Sequence, residues 1–215
     1  MKKHFILLVA LGVAAFSLKA QKTDTRKKNS EVSILFGLNQ PLVFHGFNAE
    51  VNYWTKKWVF EYSHGINLQT KGKMLGSEYE NQHLDFRIKH SLGGGVGYRF
   101  TEGFNLRFEP KVHFYETYYE GQSHHKSNSL VNFRTYTVGL GAYYRWLPFS
   151  KSGNALKGIT IAPSIRYWQK VGSSLPKNGF TYFNNQTGRN ETLKAPNIGV
   201  SNTPFLANIS IGYTF

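Results

Sequence analysis

The chain has no cysteine, so disulfides cannot hold it together if it is exported. It has no apolar run long enough to cross a bilayer as a helix. The longest, Phe5–Phe16 (FILLVALGVAAF), is about a dozen residues, against the roughly 20 that a spanning helix needs. Acidic residues are scarce: 12 Asp and Glu face 26 Lys and Arg, for a net charge of +14. Such a balance suggests nucleic acid as a partner, and the placement of the cations, described below, argues against it. Aromatic residues, by contrast, make up 16% of the chain.

The first twenty residues read as an export signal. Lys2 and Lys3 precede the apolar run, and Ser17-Leu18-Lys19-Ala20 offers a small residue before a cut at Gln21. Residues 21–30 form a polar, basic lead-in, expected to be flexible and periplasmic. Residues 31–215 then make one domain.

That domain is built of alternating segments. The last, Asn208–Phe215, sets Ile209, Ile211, Tyr213 and Phe215 against Asn208, Ser210, Gly212 and Thr214, one apolar and one small polar face of a strand. Earlier segments with the same period lie at 31–39, 46–54, 58–68, 83–100, 104–119, 131–147 and 158–170. The fourth places Leu84, Phe86, Ile88, Leu92, Val96 and Tyr98 on its apolar face. Connections alternate long and short, the short ones near Thr55–Lys57, Thr101–Gly103 and Ser150–Asn154. Eight segments, short turns at one end and long loops at the other predict an antiparallel up-and-down barrel with apolar faces toward lipid and both termini at the short-turn end. A soluble sandwich or lipocalin-like carrier would instead turn those faces inward. Several segments exceed the 9–11 residues needed to cross, so they should project beyond the long-loop surface. Pro110 and Pro163 fall inside segments paired on both sides and predict bulges or kinks.

The exported N-terminus, the eight segments and the terminal Gly212-Tyr213-Thr214-Phe215 together resemble small eight-stranded outer-membrane β-barrels of the Bacteroidota type. The resemblance covers nearly all of the mature chain and is one of pattern. It implies a Gram-negative outer-membrane location with periplasmic termini. It also implies contact with outer-membrane lipid and with the barrel-assembly machinery, which would read Tyr213 and Phe215.

Alternation aims Glu50, Glu61, Asp85, Arg87, Lys89, Arg99, Arg107, Glu109, Lys111, Arg145 and Arg166 into the lumen. Eight strands leave room only for side chains, and buried charges must be paired, so these residues should form a structural network. Gly93, Gly95, Gly97, Gly139 and Gly141 would make room for Trp54, Tyr115 or Tyr143. The run Gly93–Gly97 is followed by no helix and so is no phosphate loop. A second basic group, Lys22, Arg26, Lys27, Lys28, Lys56, Lys57, Lys151 and Lys157, falls at the short-turn end, leaving no single exposed basic groove for nucleic acid.

No cofactor or metal is implied; His124-His125 is a weak pair for an ion. His125-x-Ser127-Asn128 is similar to the His-x-Ser-Asn stretch of lipid A deacylases, but it lacks the following carboxylate that would orient the imidazole. The leading expectation is a monomeric, non-enzymatic, integral outer-membrane protein, structural or accessory to an envelope complex. The alternatives are a porin-like narrow channel for small solutes or apolar molecules, and a lipid A-modifying enzyme. Any protein partner should meet the longest loop, 173–201, through Phe180, Tyr182, Phe183 and Arg189, or else these rings fold back onto the barrel rim.

Overall fold

The computed structural model describes residues 30–215; the expected signal and most of the lead-in lie outside them. Eight strands close into a barrel: β1 (Ser30–Gly37), β2 (Phe47–Thr55), β3 (Trp58–Lys71), β4 (Leu84–Arg99), β5 (Phe104–Tyr119), β6 (Val131–Tyr144), β7 (Ile159–Ser173) and β10 (Phe205–Thr214). Every barrel pairing is antiparallel between strands that follow one another around the ring, β7 meeting β10 across the long loop, and β1 pairs with β10 to close it. The all-β, eight-stranded up-and-down barrel expected from the alternation is therefore the architecture observed. β1 begins and β10 ends at the end of the short turns, where Phe215 donates its N–H to the Val32 carbonyl.

The longest loop is not free of structure. It contains a hairpin, β8 (Gly179–Asn184) and β9 (Arg189–Lys194), which pairs only with itself. The 69–82 stretch, read as a polar loop, first continues β3 to Lys71. It then makes two single-turn helices, α2 (Gly72–Leu75) and α3 (Ser77–Glu80), that bury Leu75 and Tyr79. A further short helix, α1 (Asn39–Val43), follows β1 and buries Gln40.

Both prolines behave differently from expectation. Lys111 pairs with Gly93 and Phe108 with Val96, so the register runs past Pro110 without a shift. Pro163 pairs across to Ile209, also in register. The missing N–H at Pro163 falls where the β6 ladder gives way to a lone Trp146–Ile161 bridge.

The register shifts occur elsewhere. Between Ile88 and His90 the β4–β5 ladder steps two residues on β4 for one on β5, making Lys89 a bulge. On β3 the facing Asn67 adopts φ +57, a left-handed conformation that asparagine tolerates. A second shift, at Tyr136/Thr137, leaves Val171 extra on β7. An extra residue reverses which face each later side chain takes. Leu84, Phe86 and Ile88 are therefore inside the barrel and almost fully buried, not lipid-facing as the alternation suggested.

Candidate functional site: a two-tier interior

Below the bulges, toward the short turns, the outer wall is apolar on every strand. Exposed residues include Ile34, Val51, Phe60, Val96, Phe108, Leu140, Ile165 and Ile209. On β5 this face runs from Phe104 to Phe114, about 34 Å along the strand and roughly 25 Å along the axis at the usual tilt. Aromatic rings crowd the short-turn end: Trp58 meets Tyr98 edge-on at 5.4 Å, Tyr98 meets Phe100 at 5.2 Å and Tyr213 meets Phe215 at 4.9 Å.

Inside this tier lie three acids and three bases. Arg107 donates through Nη1 to Glu50 at 3.0 Å, Asn52 at 2.7 Å and Glu61 at 2.8 Å. Lys111 reaches the other Glu61 oxygen at 3.2 Å and lies 3.6 Å from Glu109. Arg166 approaches Glu50 at 3.4 Å. Glu109 also accepts from the Trp168 indole at 3.0 Å and from the Tyr143 hydroxyl. The Arg107 guanidinium lies 3.8 Å over the Tyr143 ring. Six charges thus pair three against three, with their oxygens satisfied by fixed donors, as burial in low dielectric requires.

The glycines of β4 and β6 make this packing possible, but for other occupants than Tyr115 or Trp54. A Cβ on Gly97 would strike Arg107 and one on Gly93 would strike Lys111. One on Gly139 would strike Trp168, and one on Gly141 would strike Tyr143. Toward the short turns, Trp54 closes the interior. Its indole donates to Ser33 at 2.7 Å, and Arg99, Arg107 and Arg145 all lie within 5.4 Å of its ring. Arg145 reaches Glu31 at 2.6 Å.

Of the eleven residues aimed at the lumen, six make the central network: Glu50, Glu61, Arg107, Glu109, Lys111 and Arg166. Arg99 and Arg145 sit at its lower rim. Asp85, Arg87 and Lys89 do not join them, because the bulge turns that part of β4 over. Asp85 accepts from the Gly72 and Gly121 amides, and Arg87 pairs with Glu116 at 3.4 Å. Lys89 is exposed. His113, on the inward face, is fully buried between Ser91 at 2.8 Å and Thr137 at 3.0 Å.

Above the bulges the interior is apolar. Leu68, Leu84, Phe86, Ile88, Tyr115 and Phe133 are buried together, with Tyr115 and Phe133 stacked at 5.0 Å. Leu75, Tyr79, Tyr182 and Leu193 close this core from above. Burial holds the Tyr79 and Tyr182 hydroxyls above their ordinary pKa, with the Glu78 and Glu191 carboxylates adding to it. A cavity of about 30 Å³ separates the tiers, bordered by Gln40, Ser91, Lys111 and Arg166. That is room for about one water molecule.

The loop candidates divide. Tyr182 is buried, and Phe180 packs partly against the core in parallel with it. Phe183 is 57% exposed, and Arg189 is exposed. The His125-Lys126-Ser127-Asn128 stretch is an exposed turn in which the Ser127 hydroxyl donates to Asn128 at 3.2 Å. The neighbouring His124 ring lies against Tyr118 at 4.7 Å, and its pKa is lowered by burial and then by Arg87.

No protein-family model matches the chain, and no curated protein matches it. Among solved structures it is similar to Ail, the attachment invasion locus protein of Yersinia pestis. The identity there is 12% and the TM-score 0.38, over 86% of this chain and 96% of that one. It is likewise similar to the Yersinia pestis outer membrane protein Ail in a phospholipid bilayer nanodisc. For that structure the identity is 14% and the TM-score 0.36, over 86% of this chain and 98% of that one.

Proposed function

We propose that the protein is an integral outer-membrane β-barrel, closed along its axis, that serves without a catalytic centre as a structural or accessory component of the envelope. The observation that carries this reading is the lower tier, with charges inside and a largely apolar wall outside. That wall would be unstable in water at this extent and matches the height of a hydrocarbon core. The short-turn end, with the termini, would face the periplasm, and the exposed Phe215 would present the assembly signal.

The interlocked ion network supports a closed lumen over a narrow channel, since a solute would have to break several buried pairs to pass. The Ser127–Asn128 contact supports a solvated turn over a deacylase site. A protein partner, if one is bound, would meet Phe183 and Arg189 on the hairpin, where an exposed ring lies near a cation. The barrel itself is read as a monomer.

Carbonate-washed membranes, with boiled and unboiled samples compared on gels, test the reading. The folded barrel should stay in the membrane and migrate differently from the boiled form. Release by carbonate without a mobility shift would end it. Planar bilayers should show no steady conductance; ohmic current would replace the closed barrel with the channel.

A further inference from the structure

Pairing across the barrel places Phe47, Ile66, His90, Phe114 and Arg134 in one row at the long-loop edge of the apolar belt. On the β4–β6 side of that row the wall becomes cationic. The bulge puts Lys89 on the surface, one residue beyond His90. The Arg134 guanidinium lies over the Phe114 ring at 5.0 Å, while His90 meets the same ring edge-on at 6.3 Å. A second imidazole, His64, stands 3.2 Å from His90. Around the opposite sector the same edge carries Phe36, Phe47, Tyr167 and Phe205, with no cation among them.

Lys89 and Arg134 have no carboxylate within ion-pairing distance among the described residues. The nearest acid in register, Glu116, is taken by Arg87 at 3.4 Å and the Tyr118 hydroxyl at 2.8 Å. Lys89 next to His90 on β4 and Arg134 across from Phe114 on β6 flank the His90–Phe114 pair, and at the height where acyl chains end they face the layer in which lipid phosphates sit. We infer that this patch binds the phosphate of an anionic lipid headgroup through Lys89, Arg134 and His90. Guanidinium and ammonium groups together satisfy several phosphate oxygens, and Phe114 packs against the first methylenes below. A bulge in a membrane-facing strand thereby gains a purpose: it lifts one cation out of the alternation to the headgroup level. The inference rests on the membrane-spanning reading.

The test uses the intact folded protein in phosphatidylcholine nanodiscs doped with lipid A or with dephosphorylated lipid A. Lipids retained after detergent extraction are counted by native mass spectrometry. The phosphorylated lipid should be retained selectively, and K89Q with R134Q should lower retention by roughly tenfold. The pair K151Q and K157Q, at the other end, should leave it unchanged. Equal retention of both lipids, or an equal loss in the control pair, overturns the inference. Failure to enter any bilayer removes the membrane reading and this inference with it, whereas insertion without selective retention removes this inference alone.

Discussion

The two tiers of the barrel solve the same problem with opposite chemistry. In the lower tier the wall is apolar and the interior holds Glu50, Glu61, Glu109, Arg107, Lys111 and Arg166. In the upper tier Phe86, Ile88 and Phe133 fill the interior, while Asp85, Arg87 and Glu116 look outward. The same strands β4 and β5 run through both. Apolar side chains line the outside of the barrel in one tier and its inside in the other. The bulge at Lys89 is the hinge between the two conventions.

The comparison is broken most severely by removing one charge from the lower interior. R107A removes the guanidinium that Glu50 and Glu61 share, leaving them only Arg166 and Lys111, and breaking such a buried set costs about 3–5 kcal/mol. Folded R107A should unfold at clearly lower urea than the parent, read by loss of the gel shift. In the upper tier the corresponding insult is steric. F86A removes a fully buried ring and should cost about 3–4 kcal/mol. An R107A barrel as stable as the parent would mean that the lower network is solvated rather than sealed.

Arginine on the outer wall separates the tiers directly. Leu140 is 65% exposed in the middle of the belt, and L140R should cost about 2–4 kcal/mol in a bilayer. Asn132, on the same strand but in the upper tier, is exposed beside Glu116. N132R should change stability by less than about 0.5 kcal/mol. Equal costs measured in lipid vesicles would show that the belt extends past the bulge, or that no belt exists.

Most of the lower tier was legible in the sequence, because period-two alternation on β2, β3, β5, β6, β7 and β10 assigns faces without knowledge of the neighbours. Glu50, Glu61, Arg107, Glu109, Lys111 and Arg166 were found that way. The fourth strand misled for a physical reason. Its apolar residues keep one parity from Leu84 to Tyr98, so the pattern has no break where the chain turns over. Inversion of the face and inversion of the environment coincide and cancel. One signal was present: an apolar face of that length exceeds what a crossing strand needs, so its far end had to serve another purpose. The cap formed by α2, α3 and the hairpin was not legible, since Leu75, Tyr79 and Leu193 are isolated apolar residues in polar stretches. Only tertiary packing tells such residues from exposed ones.

The smallest expected effect concerns the hairpin, which belongs to the upper tier without being part of its wall. Its side chains Tyr182 and Leu193 enter the core, yet β8 and β9 pair only with each other. Polar contacts tie it to the loop before β4: the Tyr182 hydroxyl donates to Gln82 at 3.2 Å, and Asn184 donates to the Gln82 carbonyl at 2.9 Å. Y182F keeps the ring in the core and removes only the hydroxyl, a loss of about 0.5–1.5 kcal/mol. Because the hairpin is a local unit, that loss should appear as faster amide exchange within Gly179–Lys194 while the midpoint of barrel unfolding stays fixed. The lower tier shares no hydrogen bond with it and should exchange as in the parent. If Y182F instead lowers the global midpoint in proportion, the hairpin and wall unfold as one body, and the cap is as much a part of the barrel as the strands beneath it.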